Sequence, residues 1–201
     1  MSLRNIVKKI PLDLGQKEYR HKTKGTLIAL AFAGKGNGRA EADLGCGEGY
    51  WSEKLEKQGW RVTAFDRQKE YGKAITHNLD NGIPLPDASV DLVFSASVIG
   101  YIKDQQFFRK EIMRVLRLGG RYVITTPNSS FWIDYILKLA GTSLKNLQDP
   151  NQKNYFNLKE LKGLFPEAKI YGYFPYAVLK FRISSLVGLL SPVLIACGRK
   201  K

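Results

Sequence analysis

Glu41-Ala-Asp-Leu-Gly-Cys-Gly-Glu-Gly49 is the stretch that decides the fold of this chain. Gly45, Gly47 and Gly49 let the backbone turn sharply and approach a ligand with no Cβ in the way. About one β-α-β step later an acid, Asp66, closes the run Arg61-Val-Thr-Ala-Phe-Asp66. A carboxylate at the end of a second strand can accept both hydroxyls of a ribose. Loop and acid together describe a pocket for a nucleoside cofactor.

The charge around the loop selects among such cofactors. A dinucleotide fingerprint reads G-x-G-x-x-G and seats a pyrophosphate on a helix N-terminus. This chain reads G-x-G-x-G, with Asp43 two residues before the first glycine and Glu48 between the last two. Carboxylates repel a pyrophosphate and favour a ligand that is cationic there. The ammonium and sulfonium of S-adenosyl-L-methionine (AdoMet) meet that requirement, and NAD does not.

Three further motifs follow in order: Asn78-Leu-Asp-Asn-Gly-Ile-Pro-Leu-Pro-Asp-Ala-Ser-Val-Asp91, Leu92-Val-Phe-Ser-Ala-Ser97, and Leu116-Arg-Leu-Gly-Gly-Arg-Tyr-Val-Ile-Thr-Thr-Pro-Asn128. With them the chain resembles the class I AdoMet-dependent methyltransferases, type 11-like, of the D-x-G-x-G group, from about Ala40 to Asn128. The resemblance implies an α/β three-layer Rossmann-like sandwich. Its sheet has seven mostly parallel strands, the last antiparallel. It implies that Asp66 binds the ribose and that Gly45, Cys46, Gly47 and Gly49 line the methionine end. Asp43 meets the ammonium. Asn78, Leu79 and Asp80 fall at the adenine segment, Ser95 at the fourth-strand end and Arg67 along the adenine. Tyr101 stands where relatives often carry a histidine facing the methyl group. Asn128 and His21 are the other catalytic candidates. Glu41 in the first strand, and Leu118 in place of the proline of the glycine turn, depart from the family pattern.

Composition sets the bounds. The chain has 201 residues, 44% hydrophobic and 25% charged, enough for one domain with a substantial core. Two cysteines, Cys46 and Cys197, argue against a disulfide framework and fit a reducing cytoplasm. No metal-ligand spacing is present. No signal peptide is expected, and the longest uncharged run, 16 residues between Arg182 and Arg199, falls short of a membrane span. The net charge of +14 is uneven. Residues 1–24 carry +5, residues 25–152 carry +2 and residues 153–201 carry +7. Basic ends point to an acidic partner, such as an anionic membrane surface, a nucleic acid or a phosphorylated substrate.

The chain divides into a basic lead-in and helix (1–38), a cofactor core (39–128), an apolar insertion (129–157) and a C-terminal section (158–201). Helices are expected at Leu27–Ala33, Glu48–Gln58, Gln105–Arg117, Leu158–Phe165 and Phe181–Leu190. Strands are expected at Arg39–Leu44, Arg61–Asp66, Ala74–Asn78, Val90–Ser95, Arg121–Thr126, Ala168–Phe174 and Pro192–Cys197. Only eleven residues separate Asp66 from Asn78, so the usual helix there has no room. In the insertion, Phe131–Ala140 reads as an apolar helix: a lid over a greasy substrate, a membrane contact, or an element buried on the core.

Three functions remain open at this level. The first is a methyltransferase acting on a small, lipid-linked or amphiphilic acceptor, cytoplasmic with peripheral membrane contact. The second is a nucleic-acid methyltransferase, which the basic ends allow but the absence of an N-P-P-Y-type tetrad at Phe94–Ser97 disfavours. The third is an AdoMet-binding module that has lost its chemistry.

Overall fold

The computed structural model describes residues 24–139, 141–146, 149–174 and 181–201. Residues 1–23, and with them His21, lie outside the described residues.

Eight strands form one sheet in the order β3-β2-β1-β4-β5-β8-β6-β7. They are β1 (Ala40–Leu44), β2 (Arg61–Asp66), β3 (Ile75–Thr76), β4 (Val90–Ala96), β5 (Leu116–Pro127), β6 (Lys169–Phe174), β7 (Phe181–Ile183) and β8 (Val193–Arg199). The first five run parallel. β8 lies antiparallel between β5 and β6, and β7 lies antiparallel on β6. The chain order reverses at β1, between β2 and β4. That switch point opens a crevice at the carboxyl ends of the strands.

Helices cover both faces. α1 (Lys24–Ala33) and α2 (Tyr50–Lys57) pack on one side, α3 (Gln105–Val115) and α5 (Leu158–Leu164) on the other. The strands alternate accordingly. Leu92 and Phe94 of β4 join Trp51, Leu55 and Trp60 in one core, while Val93 joins Phe108, Ile112 and Phe165 in the other. Each of these fully buried side chains contributes roughly 1.5–3 kcal/mol by leaving water. α4 (Trp132–Leu139) sits in the insertion and α6 (Val187–Leu190) precedes β8.

The structure corrects three expectations. Phe181–Leu190 is not one helix. Phe181–Ile183 pairs with β6, Phe181 stacks edge-on to Phe174, and only Val187–Leu190 is helical. A short apolar run does not distinguish strand from helix by its period, and the sheet gains an eighth strand. β5 begins at Leu116 rather than Arg121, because Val90 pairs with Leu116 before the register shifts. The Gly119–Gly120 turn is stitched to the tail, Gly119 N donating to Lys200 O and Lys200 N to Gly120 O. β3 shrinks to two residues. As the spacing required, no helix forms between Asp66 and Ile75.

The buried-core reading of the insertion helix is also overturned. α4 buries Asp134 and Leu137 but leaves Tyr135, Ile136 and Leu139 exposed. Among the described residues no helix is long and apolar enough to cross a membrane.

Candidate active site

The glycine loop is held on the end of β2. Gly45 N and Cys46 N both donate to Phe65 O, at 2.7 and 3.0 Å. All three motif glycines take positive φ: 79° at Gly45, 54° at Gly47 and 82° at Gly49. They differ in what surrounds them. A Cβ on Gly45 would strike Val98, and one on Gly49 would strike the Tyr71 ring. A Cβ on Gly47 would meet nothing within 4 Å. Gly45 and Gly49 are therefore required by packing. Gly47 faces open space, the cradle that close approach by a ligand needs.

Asp66 ends β2 with its carboxylate turned to that cradle. Oδ2 accepts from Gly47 N at 2.8 Å and Oδ1 from Gln68 N at 3.0 Å. An ionised carboxylate has about four acceptor positions, so capacity for ribose hydroxyls remains. Arg67 beside it is exposed.

Asp43 lies beneath the loop, buried, with Oδ2 accepting from Ser52 Oγ at 2.6 Å. Burial raises its pKa from 3.8 to about 7; the Ser52 hydrogen bond opposes the rise and the Asp66 charge adds to it. A cation at this spot would relieve that strain. Cys46 is buried, and burial with the Asp43 and Asp66 charges pushes its thiol up to about 12. A neutral thiol is a filler here, not a nucleophile.

In the segment that the family resemblance assigns to the adenine, Asn78 Oδ1 accepts from Asp80 N at 3.1 Å and starts a 3₁₀ turn, Leu79–Asn81. Leu79 is buried, and Asp80 Oδ1 accepts from Lys103 N at 2.9 Å. Across the crevice Ser95 is fully buried, its hydroxyl donating to Leu44 O at 3.2 Å. It braces β1 against β4, and the strand end is passed to Ala96 and to Ser97 at φ 61°.

Tyr101 sits on the 3₁₀ turn Ile99–Tyr101 that follows β4, and its hydroxyl donates to Asp149 Oδ2 at 3.1 Å. The insertion clamps this turn. Lys153 N and Asn154 N both donate to Gly100 O, and Asn154 Nδ2 donates to Ile102 O. Asn128 corrects its sequence reading. It is 1% exposed, and its amide nitrogen donates to Gly188 O and Ser191 O while Oδ1 accepts from Ser130 N. Its amide hydrogens are both committed, so it latches α6 to the sheet and cannot handle an acceptor.

Sequence reasoning missed Ser52, Tyr71 and Asp149. Tyr71 shares the small core of Cys46, Ala64 and Ala74, filling the space of the absent helix. Asp149 stands 48 positions from Tyr101 with no motif to link them.

A family model described as a methyltransferase domain matches residues 42–124. This stretch is similar to the AdoMet-dependent methyltransferases. A probable AdoMet-dependent methyltransferase of Mycolicibacterium smegmatis is 38% identical over 100 residues, 45% of this chain and 39% of that protein. The malonyl-[acyl-carrier protein] O-methyltransferase of Serratia marcescens is 32% identical over 120 residues, 55% of this chain and 42% of that one. The chain thus matches about two fifths of the length of these relatives. In fold it resembles the Burkholderia thailandensis 1,6-didemethyltoxoflavin-N1-methyltransferase, solved with that compound and S-adenosylhomocysteine. There the TM-score is 0.60 at 18% identity, over 92% of this chain and 80% of the other.

Proposed function

We propose that the protein transfers a methyl group from AdoMet to a small amphiphilic or lipid-linked acceptor. The cofactor supplies a methyl group already activated on a sulfonium, so the protein's task is alignment and charge. Asp66 takes the ribose hydroxyls, the Gly47 backbone admits close approach, and the Asp43–Ser52 pair faces the cationic methionine end. Leu79, Asp80 and Asn78 border the adenine. Tyr101, held by Asp149, stands on the acceptor side, where the pair accepts the proton that leaves the acceptor's O–H or N–H.

The observation that carries the acceptor class is α4. This helix, on the segment that leaves β5 beside the crevice, shows apolar side chains to solvent. The Serratia relative is, by its name, a malonyl-[acyl-carrier protein] O-methyltransferase, so its acceptor is a group carried on a protein. A panel of acceptors with methyl-labelled AdoMet tests the proposal. Label entering amphiphilic acceptors, and not their truncated water-soluble analogues, is expected. Label entering only RNA, or only compact polar acceptors, would reject it.

A further inference from the structure

We infer that the rim formed by α4 and the turn before α6 is a docking face for an anionic bilayer; this rests on the amphiphilic-acceptor reading above. α4 is tied on one side to the rest of the insertion. Asp134, buried, accepts from Leu144 N through Oδ1 and pairs with Lys138 Nζ through Oδ2, both at 2.8 Å. The other side shows Tyr135, Ile136 and Leu139 to water, Leu139 91% exposed. Leu186 repeats the pattern. It is held at φ 53°, a strained conformation for a bulky residue, and is 69% exposed.

These residues share one end of the sheet. Pro127 pairs with Val193, so the chain leaves β5 toward α4 and enters β8 from α6 at the same edge. It is the edge of the strand carboxyl ends, where Gly47 and Asp66 lie. Asn128 Nδ2, donating to Gly188 O at 2.8 Å, ties the two segments together. α1 begins there too: a Cβ on Gly25 would lie 2.9 Å from Val193. Lys24, the first residue of α1, therefore stands near this rim, and residues 1–24 carry a net charge of +5.

Exposed apolar side chains, and a basic stretch of sequence whose last residue begins α1 beside them, are the two signals that reversible bilayer binding requires. Tyr135, amphipathic, suits the headgroup boundary. Lys145, exposed, adds positive charge on the insertion itself, while Lys138, lying over the Tyr135 ring, is balanced by Asp134. A helix lying in the interface would bring the crevice against the bilayer, so an acceptor could pass from lipid to the cofactor without crossing water.

Vesicle co-flotation of the full chain tests this, with phosphatidylcholine alone and with phosphatidylcholine containing phosphatidylglycerol. The wild type should float with the anionic vesicles and lose binding as salt rises. Ile136→Ser with Leu139→Ser should weaken binding by about tenfold or more. Leu186→Gly should also weaken it while raising the melting temperature, since it relieves the φ strain. Lys8→Glu with Lys9→Glu should remove the preference for anionic lipid. Flotation unchanged in the apolar variants would overturn the docking face, as would no flotation of wild-type protein that still binds S-adenosylhomocysteine. So would a dimer that dissociates on Ile136→Ser with Leu139→Ser, or capture of RNA in place of vesicles. Failure to bind S-adenosylhomocysteine would strike the methyltransferase proposal instead, whatever the vesicles show.

Discussion

The amide of Gly47 donates to Asp66 Oδ2 across 2.8 Å. This bond joins the two features on which a nucleoside pocket depends, the flexible glycine loop after β1 and the acid at the end of β2. It fixes the carboxylate toward the cradle before any ligand arrives, which lowers the cost of ordering on binding.

The three glycines should fail differently. Gly47→Ala meets no protein atom, so it costs only the positive-φ penalty, about 1–2 kcal/mol. It should fold yet bind S-adenosylhomocysteine far more weakly, because its methyl group points into the cradle. Gly49→Ala pays the same penalty and also collides with Tyr71. It should lose more stability, and adding Tyr71→Ala should restore only part. Thermal melts beside calorimetric titrations separate the two. Equal stability loss in both single variants would contradict the assignment of Gly47 to ligand contact.

Asp43 should make cofactor binding pH-dependent. Its carboxyl is raised to about 7, chiefly by burial. A cationic ligand needs it ionised, so AdoMet affinity should fall as pH drops below about 7. Without cofactor the sign reverses. A raised carboxyl stabilises fully below its unfolded value of 3.8, and that contribution is lost as pH rises through about 7. Asp43→Asn should flatten both profiles. A pH-independent affinity in the wild type would remove Asp43 from the cationic end.

Glu41 should be a net cost to stability. It is fully buried in β1, and neither carboxylate oxygen makes a well-formed hydrogen bond; the Phe94 backbone gives only a weak one. Its pKa is raised well above the usual range by burial first and by the Asp43 charge second, with the Phe94 backbone opposing only in part. Stability from the protonated form is present below about 4.5 and declines as pH rises through the raised value. Glu41→Leu should therefore raise the melting temperature, by roughly 2–4 °C per kcal/mol gained. The gain should grow from acid to alkaline pH. A lower melting temperature at every pH would show that the carboxylate is satisfied.

Much of this was legible in the chain. The glycine spacing, Asp66 and the ordered motifs predicted the Rossmann-like layers, and the short gap after Asp66 predicted a missing helix. What escaped depends on contacts between distant residues. Phe181–Ile183 is a strand because β6 offers an edge, which no local period reports. Asn128 followed a strand end and a proline, a plausible place for a polar group at an active site. Its partners, Gly188 and Ser191, stand about sixty residues away, and only the fold shows its amide spent on them. The exposure of α4 was equally hidden, since an apolar helix reads alike whether covered or not.

Tyr101 and Asp149 should act on transfer and not on cofactor binding. Tyr101→Phe removes the hydroxyl that Asp149 accepts, and Asp149→Asn removes the charge. Each should slow methyl transfer by on the order of tenfold to a hundredfold. S-adenosylhomocysteine affinity should stay unchanged. A drop in cofactor affinity matching the drop in rate would reduce the pair to a structural clasp.

Calorimetric titration of S-adenosylhomocysteine into the wild type and into Asp66→Ala tests the central claim most directly. Saturable binding to the wild type, abolished by the substitution while the melting curve keeps its shape, is the predicted result. Binding that survives Asp66→Ala would displace the ribose from this site. No binding to the wild type would contradict the methyltransferase assignment and leave a Rossmann-like module without its cofactor.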